Sequence, residues 1–417
     1  MKNLFASLVP RFFIFMGLLL VAACSHKTNK ELKPGIWRGV LLVSDQELPF
    51  LMEVTKNQAG QTTAYLINGE EKLLLDEISI TGDSVKIPMQ LFDTDLRGTL
   101  NAAENKLAGK WTRYHLEEPY RVDFRAVHGQ SYRFSAQPEK ATQNYTGKWD
   151  VLFKNEDGTQ EKAIGVFEQY ENHLKGTFLS TTGDYRYLDG EVNGAELRLS
   201  TFDGSHAYLF KATPSPAGEL NGEFYAGKSG RSTWTAIRNE NAVLPAADTL
   251  TYLKKGYDKL SFSFPDLTGK KVSLSDPPYQ GKVVVVQLMG SWCPNCMDET
   301  AYLAPFYQQN KNRGLEIIGL GYEQSPEFEQ ARKRLEKLKD RFNIGYTILV
   351  AGTRDKEAAA QTLPMLNHVL AFPTTIIIDK KGEVRKIHTG FSGPGTGRYY
   401  QEFVQDFETT INKLLQE

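Results

Sequence analysis

The stretch Val283–Leu288 opens on four consecutive valines and is interrupted only by Gln287, and Cys293 and Cys296 follow it closely. β-Branched residues favour extended backbone, and a run without polar alternation suits a strand buried on both faces. Such a strand belongs inside a sheet covered by helices, so this part of the chain is expected to be α/β. The flanking pattern agrees. Glu316–Leu320, Tyr346–Val350, Thr374–Ile378 and Glu383–Ile387 read as further strands. Phe328, Ala331, Leu335, Leu338 and Phe342 recur at helical spacing, as do Tyr400, Val404, Phe407, Ile411 and Leu414. Asp355–Leu363 reads as a short helix within an extra segment, 351–370.

Upstream the pattern differs. Residues 35–240 carry short alternating runs: Leu48–Val54, Thr63–Ile67, Ser84–Met89, Arg121–Ala126 and Glu196–Thr201. Turn pairs such as Asn68-Gly69, Gly82-Asp83, Asp157-Gly158 and Asp203-Gly204 separate them. A weak repeat runs through this region. Gly35-Ile36-Trp37 returns as Gly147-Lys148-Trp149, and Leu107-Ala108-Gly109-Lys110-Trp111 as Leu220-Asn221-Gly222-Glu223-Phe224. The reading is two related antiparallel units, each a barrel or a sandwich, with Trp37, Trp111, Trp149 and Trp234 filling their cores. The expected boundaries are 35–135 for the first unit, 136–245 for the second, 246–258 for a linker and 259–417 for the α/β domain.

Residues 1–23 read as an export signal. Lys2 and Arg11 give a positive start, and the apolar run Phe12–Ala23 is too short to cross a hydrocarbon core of roughly 30 Å as a helix. The run ends in Val21-Ala22-Ala23-Cys24, which resembles the lipobox of bacterial lipoproteins. That resemblance implies cleavage before Cys24 and acylation of its thiol, with residues 24–34 as a polar tether. An ordinary signal peptide with an incidental Cys24 is the alternative. The expected location is therefore the cell envelope, lipid-anchored and facing the periplasm.

The cysteine pair carries the chemistry. Trp292-Cys293-Pro294-Asn295-Cys296 sits between the buried strand and helical sequence. Disulfide exchange needs two thiols that can bridge within one turn and one of them activated as thiolate. A Cys-x-x-Cys at a helix start supplies both, because unpaired amides favour negative charge on the first sulfur. Cys296, one turn in, is expected to be the better shielded and to resolve the mixed disulfide. A zinc site would need about four ligands, and this motif gives two. A static structural disulfide is the other alternative; the strand–motif–helix context favours redox chemistry over both. With three cysteines in 417 residues the chain is no disulfide scaffold, and a formal net charge of −1 argues against nucleic-acid binding by bulk charge. No metal and no cofactor is implied.

From about residue 259 onward the chain resembles the thioredoxin superfamily, and within it the TlpA-like thiol-disulfide oxidoreductases. The motifs that carry the resemblance are Phe264-Pro265-Asp266, Gly269-Lys270-Lys271-Val272-Ser273-Leu274, Gly281-Lys282-Val283 leading to Trp292-Cys293, Phe372-Pro373-Thr374-Thr375, and Gly390-Phe391. The resemblance implies a thioredoxin-like fold, a redox-active Cys293–Cys296 couple, a cis bond before Pro373, and a client-binding surface at Trp292, Phe372 and Pro373. It also implies an acidic partner for the dithiol at Glu299, the alternative being an exposed helix charge. Gln287 stands where thioredoxins have a buried Asp, and Gln cannot titrate.

The function read from these residues is a membrane-anchored thiol-disulfide oxidoreductase that exchanges disulfides with protein clients, as a disulfide reductase fed by a membrane electron donor. Two alternatives remain. A peroxiredoxin-like peroxidase would need a Pro-x-x-x-Thr-x-x-Cys pattern, and the residues ending at Cys293 have neither Pro nor Thr. A binding lipoprotein would use the β-rich half to capture a partner.

Overall fold

A computed structural model describes residues 31–89, 92–114 and 120–417. The export segment and Cys24 lie outside the described residues. Two antiparallel β units precede an α/β domain, and the three pack on one another.

The first unit is a nine-stranded sheet in which the opening strand Gly35–Val43 lies between Gln46–Lys56 and the closing strand Tyr120–His128. Its two ends, Glu71–Leu75 and Ser79–Thr81, do not pair with each other, so the sheet is an open half-barrel. The second unit repeats this order but closes. His173–Ser180 pairs on one side with Gln160–Tyr170 and on the other with Leu188–Asn193, while Gly147–Asn155 pairs with Gly230–Arg238. Only the two-residue strand Gly183–Asp184 hangs outside the ring. A small closed barrel has no free edges and fills its interior with side chains. Here Trp149, Phe153, Phe178, Phe210 and Trp234 do so.

The repeated Gly-x-Trp does the same local job in both units. Gly35 and Gly147 adopt φ of 114° and 123°, a region that favours glycine. Each places its Trp so that the indole N–H donates to the carbonyl four residues back, Trp37 to Lys33 at 2.9 Å and Trp149 to Tyr145 at 3.0 Å. Both indoles are thereby buried with their polar atom satisfied.

The open unit completes its core with residues of the closed one. Phe202, Ala207, Leu209 and Tyr225 join Trp37, Phe50 and Trp111 in one cluster. Polar contacts fix the same junction. Buried Arg133 donates to Asp189 at 2.9 Å and to the Ile67 carbonyl at 2.5 Å, and Asn68 exchanges two hydrogen bonds with the Phe202 backbone.

The α/β domain has a five-stranded sheet in the order Thr347–Thr353, Leu315–Glu323, Val283–Met289, Thr374–Ile378, Val384–Thr389. The first three strands run parallel to one another, Thr374–Ile378 runs antiparallel to them, and Val384–Thr389 pairs antiparallel with Thr374–Ile378. The central strand Val283–Met289 is buried at every position. Four helices complete the layers: α1 (Pro294–Asn310), α2 (Phe328–Arg341), α3 (Lys356–Thr362) and α4 (Arg398–Gln416). Tyr302 and Phe306 of α1 pack edge-on against Phe407 of α4, which holds α1 against the domain. Among the described residues no helix is long and apolar enough to cross a membrane.

Candidate active site

The buried strand Val283–Met289 delivers the chain to Gly290, and α1 begins at Pro294. Pro at the first helical position has no N–H to leave unpaired and presets the helical φ. Cys293 is therefore the N-cap. Its sulfur accepts the Cys296 backbone N–H at 3.2 Å, and its thiol donates to the Phe372 carbonyl at 3.4 Å. Cys293 and Cys296 are both free thiols. An amide aimed at Sγ from the first turn stabilises negative charge on that atom. Cys296 is different: burial, then the hydrogen bond to Cys293, push its thiol well above the ordinary value.

The Phe372–Pro373 bond is cis. Trp292, half-buried, donates its indole N–H to the Tyr322 carbonyl at 2.8 Å and meets the Phe372 ring edge-on at 5.8 Å. Trp292, Cys293, Phe372 and Pro373 thus lie together, with only Trp292 more than slightly exposed.

Glu299 is fully buried, not an exposed helix charge. Both carboxylate oxygens have partners: the Gln287 amide donates at 2.7 Å and the Thr375 hydroxyl at 2.6 Å. Burial pushes the Glu299 carboxyl up to about 7, against the opposing pull of those two hydrogen bonds. The side chain that replaces a titrating Asp on the central strand is therefore a hydrogen-bond donor to the acid on the helix.

Three residues that sequence reasoning passed over belong to the site. Glu323, at the end of strand Leu315–Glu323, is fully buried and accepts from the Ser291 N–H at 2.8 Å and hydroxyl at 2.7 Å. It fixes the turn that carries Trp292 and Cys293. Asp298 and Arg186 form the other pair, at 2.7 Å. Burial first, then Asp184, Glu71 and Asp203 nearby, push Asp298 up to about 7, although Arg186 pulls it down. A Glu closing an apolar strand and an acid next to Glu299 were visible in the sequence; nothing local marked Arg186.

The expected contrast in shielding between the two cysteines is small. Cys293 is 5% exposed and Cys296 2%. The second β unit lies against the start of α1, where the Asn295 amide donates to the Asp184 carbonyl and Arg186 donates to the Pro294 carbonyl. Among the described residues no cluster of three or more His, Cys, Asp or Glu is arranged to hold a metal ion.

Comparison with known proteins bears on the same region. The family model described as Redoxin matches residues 254–401. A thiol-disulfide oxidoreductase ResA from Geobacillus kaustophilus is 33% identical over 129 residues, covering 31% of this chain and 66% of the relative, just under two thirds of its length. The protein of the same name from Bacillus subtilis is 25% identical over 170 residues, covering 41% of this chain and 85% of that one. Among solved structures, a thiol:disulfide interchange protein of the thioredoxin family from Chlorobium tepidum matches with a TM-score of 0.30 and 20% identity, over 39% of this chain and 98% of that one. These alignments span less than half of the chain.

Proposed function

We propose that the whole chain is a lipid-anchored, periplasm-facing reductase of protein disulfides, a reading supported by the Redoxin match over residues 254–401 and by the similarity to thiol-disulfide oxidoreductases named ResA. The observation that supports this reading most is the pair of free thiols at the head of α1, with the Cys296 amide directed at the Cys293 sulfur.

In this reading the Cys293 thiolate attacks one sulfur of a client disulfide. The client S–S bond breaks as the Cys293–client bond forms, and the second client sulfur leaves with the electron pair and takes up a proton. Cys296 then gives up its proton and attacks Sγ of Cys293. The mixed disulfide breaks, the client's remaining sulfur leaves as thiolate, and the domain holds a Cys293–Cys296 disulfide. Two electrons have passed to the client, and a membrane electron donor must return them by a second dithiol exchange.

The resolving step needs a base, because the Cys296 thiol titrates far above neutrality in this setting. Glu299 takes that proton: it lies within electrostatic reach of Cys296 and its carboxyl, at about 7, is half-ionised near neutral pH. Trp292, Phe372 and Pro373 receive the extended client segment. Acylation of Cys24 holds the domain at the membrane.

Reduction of an insulin disulfide by the full chain, with Cys293→Ser alongside, tests the assignment: turnover should vanish in the variant, and unchanged turnover overturns it. The direction is read from the potential of the couple. A value near or below about −250 mV marks a reductase, whereas about −150 mV or above marks a donor of disulfides. Mass spectrometry of membrane-extracted protein tests the anchor, which an unmodified Cys24 thiol excludes.

A further inference from the structure

A dithiol that exchanges with proteins needs an open face, and here that face is covered from within the chain. The short strand Gly183–Asp184 hangs outside the closed barrel and runs across the start of α1. The Asn295 amide donates to the Asp184 carbonyl at 3.2 Å, and the Gly393 N–H donates to the Asp184 carboxylate at 2.6 Å. The fit is close enough that a Cβ on Gly183 would lie 2.9 Å from the Asn295 amide nitrogen. A second loop, Asp203–His206, brings the Ser205 hydroxyl to 3.5 Å from the Trp292 carbonyl.

Arg186 joins all three parts of the molecule. Its guanidinium bonds Glu71 of the open unit, donates to the Pro294 carbonyl at 2.9 Å, pairs with Asp298 of α1 at 2.7 Å, and lies 3.8 Å from Asp203. The side chain is 8% exposed. One cation thus ties both β units to the first turns of α1, at Pro294 between the two cysteines and at Asp298 two residues beyond Cys296. Pairs of this kind are costly to break from one side, since the uncompensated charges stay buried.

We infer that the second β unit is a lid on the dithiol, latched through Arg186, and that a protein client reaches Cys293 only after this surface lifts from α1. The lid confers selectivity by size: small thiol reagents enter the closed form more readily than a folded client does. This goes beyond the reductase reading and does not depend on it, because access to Cys293 is measured without turnover.

The test labels the reduced full-length protein with iodoacetamide and, separately, with a maleimide carrying a long polyethylene glycol chain. Modification of Cys293 is followed by peptide mass spectrometry. For the wild-type chain, the rate with the bulky probe relative to the small one should be about a hundredfold lower than for the same chain unfolded in guanidinium. An equal ratio in the folded and unfolded chain overturns the lid. Arg186→Gln and Asp184→Ala, checked for folding by circular dichroism, should each raise the bulky-probe rate about tenfold or more while moving the small-probe rate far less. Unchanged bulky-probe rates in two folded variants overturn the latch. Should neither variant fold, the wild-type ratio decides alone.

Discussion

Gln287 on the central strand donates its amide N–H to the Glu299 carboxylate at 2.7 Å, in a setting where both side chains are fully buried. An amide can hold a carboxylate in place without taking its proton. The pairing therefore leaves Glu299 able to titrate, with its carboxyl at about 7.

Glu299→Gln keeps the shape and removes the base. If Glu299 accepts the Cys296 proton, resolution should slow by about a hundredfold, the lower end of general-base effects. The wild-type resolving rate should rise with pH through about 7 as Glu299 ionises. The variant should lose that step while the attack by Cys293 stays near normal. Trapping of the mixed disulfide, measured by rapid acid quench between pH 6 and pH 9, checks this. An unaltered pH profile in the variant removes Glu299 from the mechanism.

The same carboxyl makes stability depend on pH. Its folded value, about 7, lies above the ordinary 4.5, so the native state holds a proton that the unfolded chain has released. Its contribution is fully present below about 4.5 and is lost as pH rises towards about 7. Across that window the wild-type chain should lose on the order of 3 kcal/mol relative to Glu299→Gln. Asp298, also raised to about 7, adds a slope of the same sign. Because it is present in both proteins, the difference between their urea midpoints at pH 5 and pH 8 isolates Glu299. Parallel curves would contradict the burial argument.

Glu323 is a positioning residue. Its two hydrogen bonds to Ser291 hold the turn whose next residues are Trp292 and Cys293. Glu323→Ala leaves the buried Ser291 N–H without a partner, at a cost of about 1–3 kcal/mol. It should also loosen Trp292, whose indole bond to Tyr322 starts from the same turn. The expected signature is a changed reduction potential together with a changed Trp292 environment, and Glu323→Gln should restore both in part. Loss of stability with an unshifted potential would reduce Glu323 to a packing role.

Much of the α/β half was legible because its signals are local. The run Val283–Leu288, the Cys-x-x-Cys spacing and the Phe372-Pro373 pair each lie within a few residues, and a buried strand, a capped helix and a loop follow from them. The β-rich half was legible as alternation and turns. Its closure was not, because one barrel closes and the other stays open through pairings that depend on a few residues at the sheet ends, such as His173–Ser180 bonding to strands on both sides. The lid could not be read at all. Arg186 bonds Glu71 at a separation of 115 residues, and the Asn295 amide reaches the Asp184 carbonyl across 111. Periodicity and motif spacing carry no information over such distances.

Phe202 tests how far the two β units depend on each other. It lies on the closed barrel but points into the core of the open one, fully buried, with its ring 4.9 Å from Phe50 and 5.2 Å from Trp111. The open unit has no ring of strands to hold its interior, so a cavity here strikes the unit that does not contain the mutation. Phe202→Ala should cost about 3–5 kcal/mol. Hydrogen exchange should rise first in Gly35–Val43 and Tyr120–His128, the strands that open and close the first unit, while Gly147–Asn155 in the closed barrel stays protected. If exchange rises equally in both units, they unfold as one body and the open sheet has no separate stability to lose. If it rises only in the closed barrel, the shared core is not what holds the open sheet together.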